Sequence, residues 1–140
     1  MAKTHYAISQ YIFYDLAAAH RNLHTRLNEK LKDLGVQVEM WRVLETLGAD
    51  EGQTMGELAE IVLMNPPTLT KLVDRMVASG FVQRQLAPDD HRRVQLLLTK
   101  AGLALIGEIR RHVDAENEEI LERLGEDNAR IVREALRALS

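Results

Sequence analysis

Between Thr54 and Gly80 the chain places two helix starts so close together that its path there has little freedom. TMGELAEIVL opens on Thr54, with Glu57 three residues later. The hydroxyl of such a pair caps the Glu amide while the carboxylate returns to the Thr amide. A few residues on, Asn65 precedes Pro66. Asparagine is a favoured N-cap, and proline at the first helical position gives up no hydrogen bond. Leu69, Leu72, Val73 and Met76 then mark the buried face of a second short helix, which Gly80 terminates. Two helices joined so tightly cannot lie antiparallel, so they cross at a steep angle.

After this corner the pattern changes. FVQRQL and VQLLL read as strands, with Val94, Leu96 and Leu98 alternating with Gln95 and Leu97, and APDDHRR between them makes a hairpin with a charged tip. The flanks are helical. Ile8, Ile12, Leu16, Ala19, Leu23, Leu27, Leu31 and Leu34 predict one long helix with a single apolar stripe, stopped by Gly35. Val38, Trp41, Leu44 and Leu47 predict a second helix, ended by Gly48 and the loop ADEGQ. Thr99 caps another long helix, with Ile106, Ile109, Val113, Ile120 and Leu124 on its apolar face. Gly125 to Asn128 is expected to break that helix before a last short one bearing Val132, Ala135, Leu136 and Leu139. The expected fold is mostly α: a winged helix-turn-helix of about six helices, with a two- or three-stranded wing and long terminal helices.

Composition narrows the function. The 140 residues suffice for one domain, and the absence of cysteine excludes thiolate metal sites, disulfides and thiol redox sensing. The N-terminus, broken by Asp15 and His20, resembles neither a signal peptide nor a membrane span, so the expectation is a soluble, cytoplasmic protein with no membrane partner. The net charge of −3 argues against a general polyanion binder. Yet residues 66–93 hold Lys71, Arg75, Arg84, Arg92 and Arg93 against only Asp74, Asp89 and Asp90. A locally basic centre on an acidic body suits one confined anionic partner.

Duplex DNA fits that description. An α-helix enters the major groove, where base edges show a distinguishable donor and acceptor pattern. With Leu69, Leu72, Val73 and Met76 buried, the helix after Asn65 leaves Pro67, Thr68, Thr70, Lys71 and Arg75 on exposed or flanking faces. Threonine can touch bases or a thymine methyl, and Lys71 can reach guanine or a phosphate. The hairpin tip can probe the adjacent minor groove with Arg92 and Arg93 beside His91, since a narrow groove concentrates negative potential. Asp89 and Asp90 then act as internal positioning groups, stiffening the loop through an arginine or turn amides. A solvated charged loop is the competing reading for the tip, and surface ion pairing for Lys71 and Arg75.

These residues resemble the multiple antibiotic resistance regulator (MarR) family of bacterial transcription factors. ELAEIVLMNPPTLTKLVDRMVASGFVQR is similar to its helix-turn-helix, and PDDHRRVQLLLTKAG to its wing and following helix, with the Asp-x-Arg pair of the wing falling on Asp90 and Arg92. One departure is Leu63, where the turn of the family usually carries glycine. The resemblance covers essentially the whole chain. It implies a single domain over 1–140, with a DNA-binding lobe at about 36–100 and dimerisation helices at 1–35 and 101–140. It further implies a homodimer on a pseudo-palindromic operator, acting as a repressor that releases DNA when a small molecule binds between the dimer helices and the lobe. The apolar stripes of the terminal helices support the dimer independently, because one small winged lobe cannot cover them. The family habit, with the aromatic residues of the first two helices, points to an aromatic carboxylate or its coenzyme A thioester as effector.

Tyr11, Tyr14, His20, Met40 and Trp41 are the candidate lining for that effector, with ordinary core and dimer packing as the alternative. His20 and His24 stand four apart, which is metal-ligand spacing, but no carboxylate lies within a turn on that face and no metal is expected. Catalysis finds no motif. The three serines, Ser9, Ser79 and Ser140, have no adjacent base, and neither HExxH nor a phosphate-binding glycine loop occurs. The expectation is a DNA-binding regulator that is not an enzyme and has no cofactor, the alternative being a winged-helix module for protein contact.

Overall fold

The computed structural model describes residues 5–49 and 52–140. They form two compact units, Met1–Val38 and Glu39–Ser140. The expected winged helix-turn-helix is present, with six α-helices and a two-stranded antiparallel sheet among the described residues.

In the first unit α1 spans Ile12–Leu31, so the helix begins four residues later than the apolar stripe predicts. Ile8–Gln10 is a separate 3-10 turn, and Tyr11 is extended at φ −86°, ψ 135°. The cause is local. The Gln10 side chain accepts from the Ala7 amide at 2.8 Å and closes that turn on itself, and Tyr6 and Tyr11 meet edge to face at 5.5 Å. At the other end Lys32–Leu34 tightens into a 3-10 turn, and Gly35 stops it in the left-handed region at φ 69°. The Asn28 side chain, bonded to His24 at 3.2 Å, accepts from the Val38 amide at 2.8 Å and so satisfies the start of the next helix.

Helix α2 spans Val38–Ala49, all but its first residue in the second unit, and runs through Gly48, where the sequence predicts its end. Gly48 is exposed and is not among the glycines with positive φ, so the left-handed turn that would stop the helix there does not form. Asp50 and Glu51 of the expected ADEGQ loop lie outside the described residues. The Thr54 box forms as written: the Thr54 hydroxyl accepts from the Glu57 amide, the Glu57 carboxylate accepts from the Thr54 amide, and α3 covers Met55–Val62. Asn65 caps α4, Pro66–Ala78.

Strands β1, Val82–Leu86, and β2, Val94–Leu98, pair with Arg84 opposite Leu96. A single bridge from Gln53 to Leu96 adds the only trace of a third strand among the described residues. Leu44, Leu47, Leu58, Val62, Leu69, Val73, Met76 and Leu96 are buried in this unit. Each such side chain contributes about 1.5–3 kcal/mol of burial.

Thr99 accepts from the Gly102 amide and starts α5, Lys100–Leu124, which buries Ile106 and Ile109 and half-buries Val113, Ile120 and Leu124. Gly125 alone, at φ 82° and ψ 160°, breaks the helix. Helix α6, Glu126–Ala138, therefore starts earlier than expected, because Glu126 and Asp127 complement the positive end of its dipole. Leu139 serves as its C-cap. No helix among the described residues is long and apolar enough to cross a membrane.

Candidate nucleic-acid interface

Helix α4 is held at its start by Asn65, whose Oδ1 accepts from the Thr68 amide at 3.0 Å. Its buried face is Leu69, Leu72, Val73 and Met76. Every residue singled out from the sequence on this helix, namely Asn65, Pro67, Thr68, Thr70, Lys71 and Arg75, lies exposed. The Thr70 hydroxyl donates to the Pro66 carbonyl at 2.9 Å, which leaves its methyl and its lone pairs for an outside partner. The acidic residue of the helix is occupied, since Asp74 pairs with Arg84 of β1. Lys71 and Arg75 have no ion-pair partner among the described residues.

The turn into α4 takes an unusual form. Leu63 sits at φ 61°, ψ 42°, the one non-glycine residue with positive φ among the described residues, and it is 80% exposed. The left-handed bend usual for glycine is thus kept by a leucine, at a cost of about 1–2 kcal/mol. Its amide donates to the Ala59 carbonyl, and that of Met64 to the same oxygen at 3.1 Å, satisfying the end of α3.

The wing tip is built around Asp90. Its Oδ1 accepts from the Arg92 amide at 3.0 Å, and its carbonyl accepts from the Arg93 amide at 3.0 Å. Ala87 donates to the Arg93 carbonyl at 2.9 Å and closes the loop. An aspartate bonded to the amide two residues on fixes a turn without spending an arginine. His91, Arg92 and Arg93 are exposed. The two arginines differ: Arg92 has no ion pair among the described residues, whereas Arg93 Nη2 donates to Glu57 Oε1 of α3 at 2.5 Å. The pairing of Glu57 with Arg93, across 36 positions, was not foreseen from the sequence. Neither was the link from Asp74 to Arg84.

The candidate effector residues divide between the two units. Tyr11, Tyr14 and His20 belong to the first and are exposed; Tyr14 lines a groove of about 460 Å³ on α1 with Ala17, Ala18, Arg21, Asn22 and Thr25. Met40 and Trp41 belong to the second and are half-buried. The Trp41 indole Nε1 is itself buried, with no hydrogen-bond partner among the described residues. His20 and His24 hold their rings 5.4 Å apart, and no group of three metal-ligating side chains gathers among the described residues.

Two short helices joined by the turn at Leu63, an exposed helix face whose cations have no ion pair among the described residues, and a wing tip of ordered amides together define a winged helix-turn-helix protein of the DNA-binding type. A sequence model of the MarR family matches residues 34–93. The chain is 31% identical over 124 residues to the HTH-type transcriptional regulator Mb0904 of Mycobacterium bovis, covering 89% of this chain and 84% of that protein. It is 32% identical over 91 residues to the transcriptional repressor IacR of Pseudomonas putida, a match spanning 65% of this chain and 54% of IacR. Among solved structures, NadR in complex with 4-hydroxyphenylacetate superposes with a TM-score of 0.81 at 27% identity, over 98% of this chain and 97% of NadR. A mutant MarR from E. coli, complexed with operator DNA, does so with a TM-score of 0.81 at 25% identity, over 89% of each chain. The chain belongs to the MarR family, and it is a DNA-binding regulator of transcription.

Proposed function

We propose that this regulator is a ligand-responsive repressor that works in the cytoplasm as a homodimer on a pseudo-palindromic operator. In this reading α4 lies in the major groove. Thr68, Thr70 and Lys71 face base edges, Arg75 and the helix start at Asn65 and Pro67 face phosphates, and Arg92 with His91 enters the minor groove. The observation that carries it is the state of the charges: Lys71, Arg75 and Arg92 are exposed without ion pairs among the described residues, while Asp74, Glu57 and Asp90 are engaged by Arg84, Arg93 and the Arg92 amide. The division of labour follows, with a DNA-binding lobe at about 36–100 and dimerisation helices at 1–35 and 101–140. In support of the dimer, Ile131, Val132, Leu136 and Leu139 are exposed in and beside α6, and a groove of about 560 Å³ lies along α5 and α6.

The test is affinity for duplex DNA by electrophoretic shift. Arg92→Ala is expected to weaken binding to specific and random duplex alike with the dimer intact. Thr68→Ala and Lys71→Ala are expected to alter base preference, each by about 1–3 kcal/mol at one position. A wild-type protein that shifts no duplex, and binds a protein instead, contradicts the reading.

For the effector we infer an aromatic carboxylate or its coenzyme A thioester. The buried Trp41 indole, which has no hydrogen-bond partner among the described residues, supports this, because an orphaned donor costs about 1–3 kcal/mol until an acceptor reaches it. The ligand of NadR is an aromatic carboxylate of this class. Trp41 is the single tryptophan of the chain, so its fluorescence reports directly. Titration with 4-hydroxyphenylacetate and related acids is expected to change the emission saturably and to lower DNA affinity. Trp41→Phe should weaken the effect of the ligand on DNA binding by about tenfold. A ligand that releases DNA while leaving the emission of Trp41 unchanged contradicts its role.

A further inference from the structure

The carboxylate of Glu57 serves two partners at once. Its Oε2 accepts from the Thr54 amide at 3.3 Å and completes the cap of α3, and its Oε1 accepts from Arg93 Nη2 at 2.5 Å. Arg93 is fixed at its backbone as well, donating to the Asp90 carbonyl and accepting from the Ala87 amide. Arg92, one residue away, keeps a guanidinium with no ion pair among the described residues. Adjacent arginines that look equivalent in the sequence are thus placed for different tasks.

We propose that Glu57 and Arg93 are positioning residues for DNA binding: their ion pair sets the pose of the wing tip on the helix-turn-helix, so that Arg92 meets the duplex already oriented. This rests on reading the lobe as the duplex-binding surface. Without the tie the tip is held by the hairpin alone, and ordering it on DNA costs affinity. The consequence runs against simple charge counting. A carboxylate near DNA repels phosphates, so deleting it ordinarily tightens binding. Deleting the Glu57 charge loosens it here. An exposed ion pair contributes little by itself, but a dimer carries two copies, and the expected loss is about three- to tenfold.

The experiment compares full-length wild type, Glu57→Gln, Arg93→Gln and the double variant by fluorescence anisotropy. The probe is a labelled duplex enriched from a random pool by the wild-type protein. Glutamine keeps an oxygen for the Thr54 amide, so the cap of α3 survives in Glu57→Gln. The single variants are each expected to bind about three- to tenfold less tightly, and the double no worse than either. Glu57→Gln binding as tightly as wild type or tighter overturns the proposal, because Arg93 freed for a phosphate would give that result. Multiplying losses in the double variant overturn it equally. If the wild-type protein enriches no duplex at all, the failure lies with the DNA-binding surface itself, whereas wild-type binding with an indifferent Glu57→Gln sinks this pairing alone.

Discussion

Leu63 combines two costs in one side chain: a left-handed backbone and 80% exposure of an apolar surface. Glycine meets neither cost at such a position, its own penalty being the extra freedom of the unfolded chain. Leu63→Gly is therefore expected to stabilise the fold by about 1 kcal/mol in urea denaturation, with the slope of the transition unchanged. A loss of stability would mean that the turn owes its shape to the leucine side chain. At this scale the sequence is legible where a residue acts on close neighbours. The oxygens of Thr54, Asn65 and Thr99 each bond an amide three residues on, and all three caps were foreseen. The Glu57–Arg93 and Asp74–Arg84 pairs escape it, because no local spacing joins residues brought together only by the fold.

Helix α4, both strands and α5 converge around Gly80, Phe81 and Thr99. The Thr99 amide donates to the Phe81 carbonyl at 3.1 Å, and its hydroxyl donates to the Gly80 carbonyl at 2.5 Å. A Cβ on Gly102 would lie 2.2 Å from that Phe81 oxygen. Gly102→Ala must therefore push α5 away from the base of the wing, and it is expected to destabilise the protein by about 2 kcal/mol or more and to weaken DNA binding. Thermal unfolding and an electrophoretic shift check both, and a melting temperature equal to wild type contradicts the close approach. Element ends explain where periodicity falls short. The stripe from Ile8 passes unbroken through a 3-10 turn and one extended tyrosine, because the spacing of apolar residues does not register the backbone angles of Tyr11. Gly48 reads as a stop, yet α2 runs on to Ala49, because a glycine ends a helix only where it takes the left-handed conformation. At the α5–α6 corner one glycine suffices where a four-residue break was expected.

At the scale of the whole molecule, the chain leaves Ile12, Leu16 and Leu23 of α1 exposed, and Ile131, Val132, Leu136 and Leu139 in and beside α6. A second copy is the partner that a two-fold operator requires, and symmetry then sets two α4 helices about one DNA turn apart. The order of elements, helix-turn-helix then wing, was legible because each carries its own local signal. The proposed dimer is visible in the sequence only as surplus apolar surface, and the proposed effector site only as a set of aromatic residues, since both would depend on surfaces that meet at long range. The most direct measurement is chemical footprinting on a duplex enriched by the wild-type protein, with one reagent for guanine N7 in the major groove and one for the minor groove. The account predicts two major-groove protections about ten base pairs apart, each flanked by a minor-groove protection. It also predicts that Lys71→Ala removes the first kind and Arg92→Ala the second. Bound protein that leaves both grooves open, or protections indifferent to both substitutions, would contradict it.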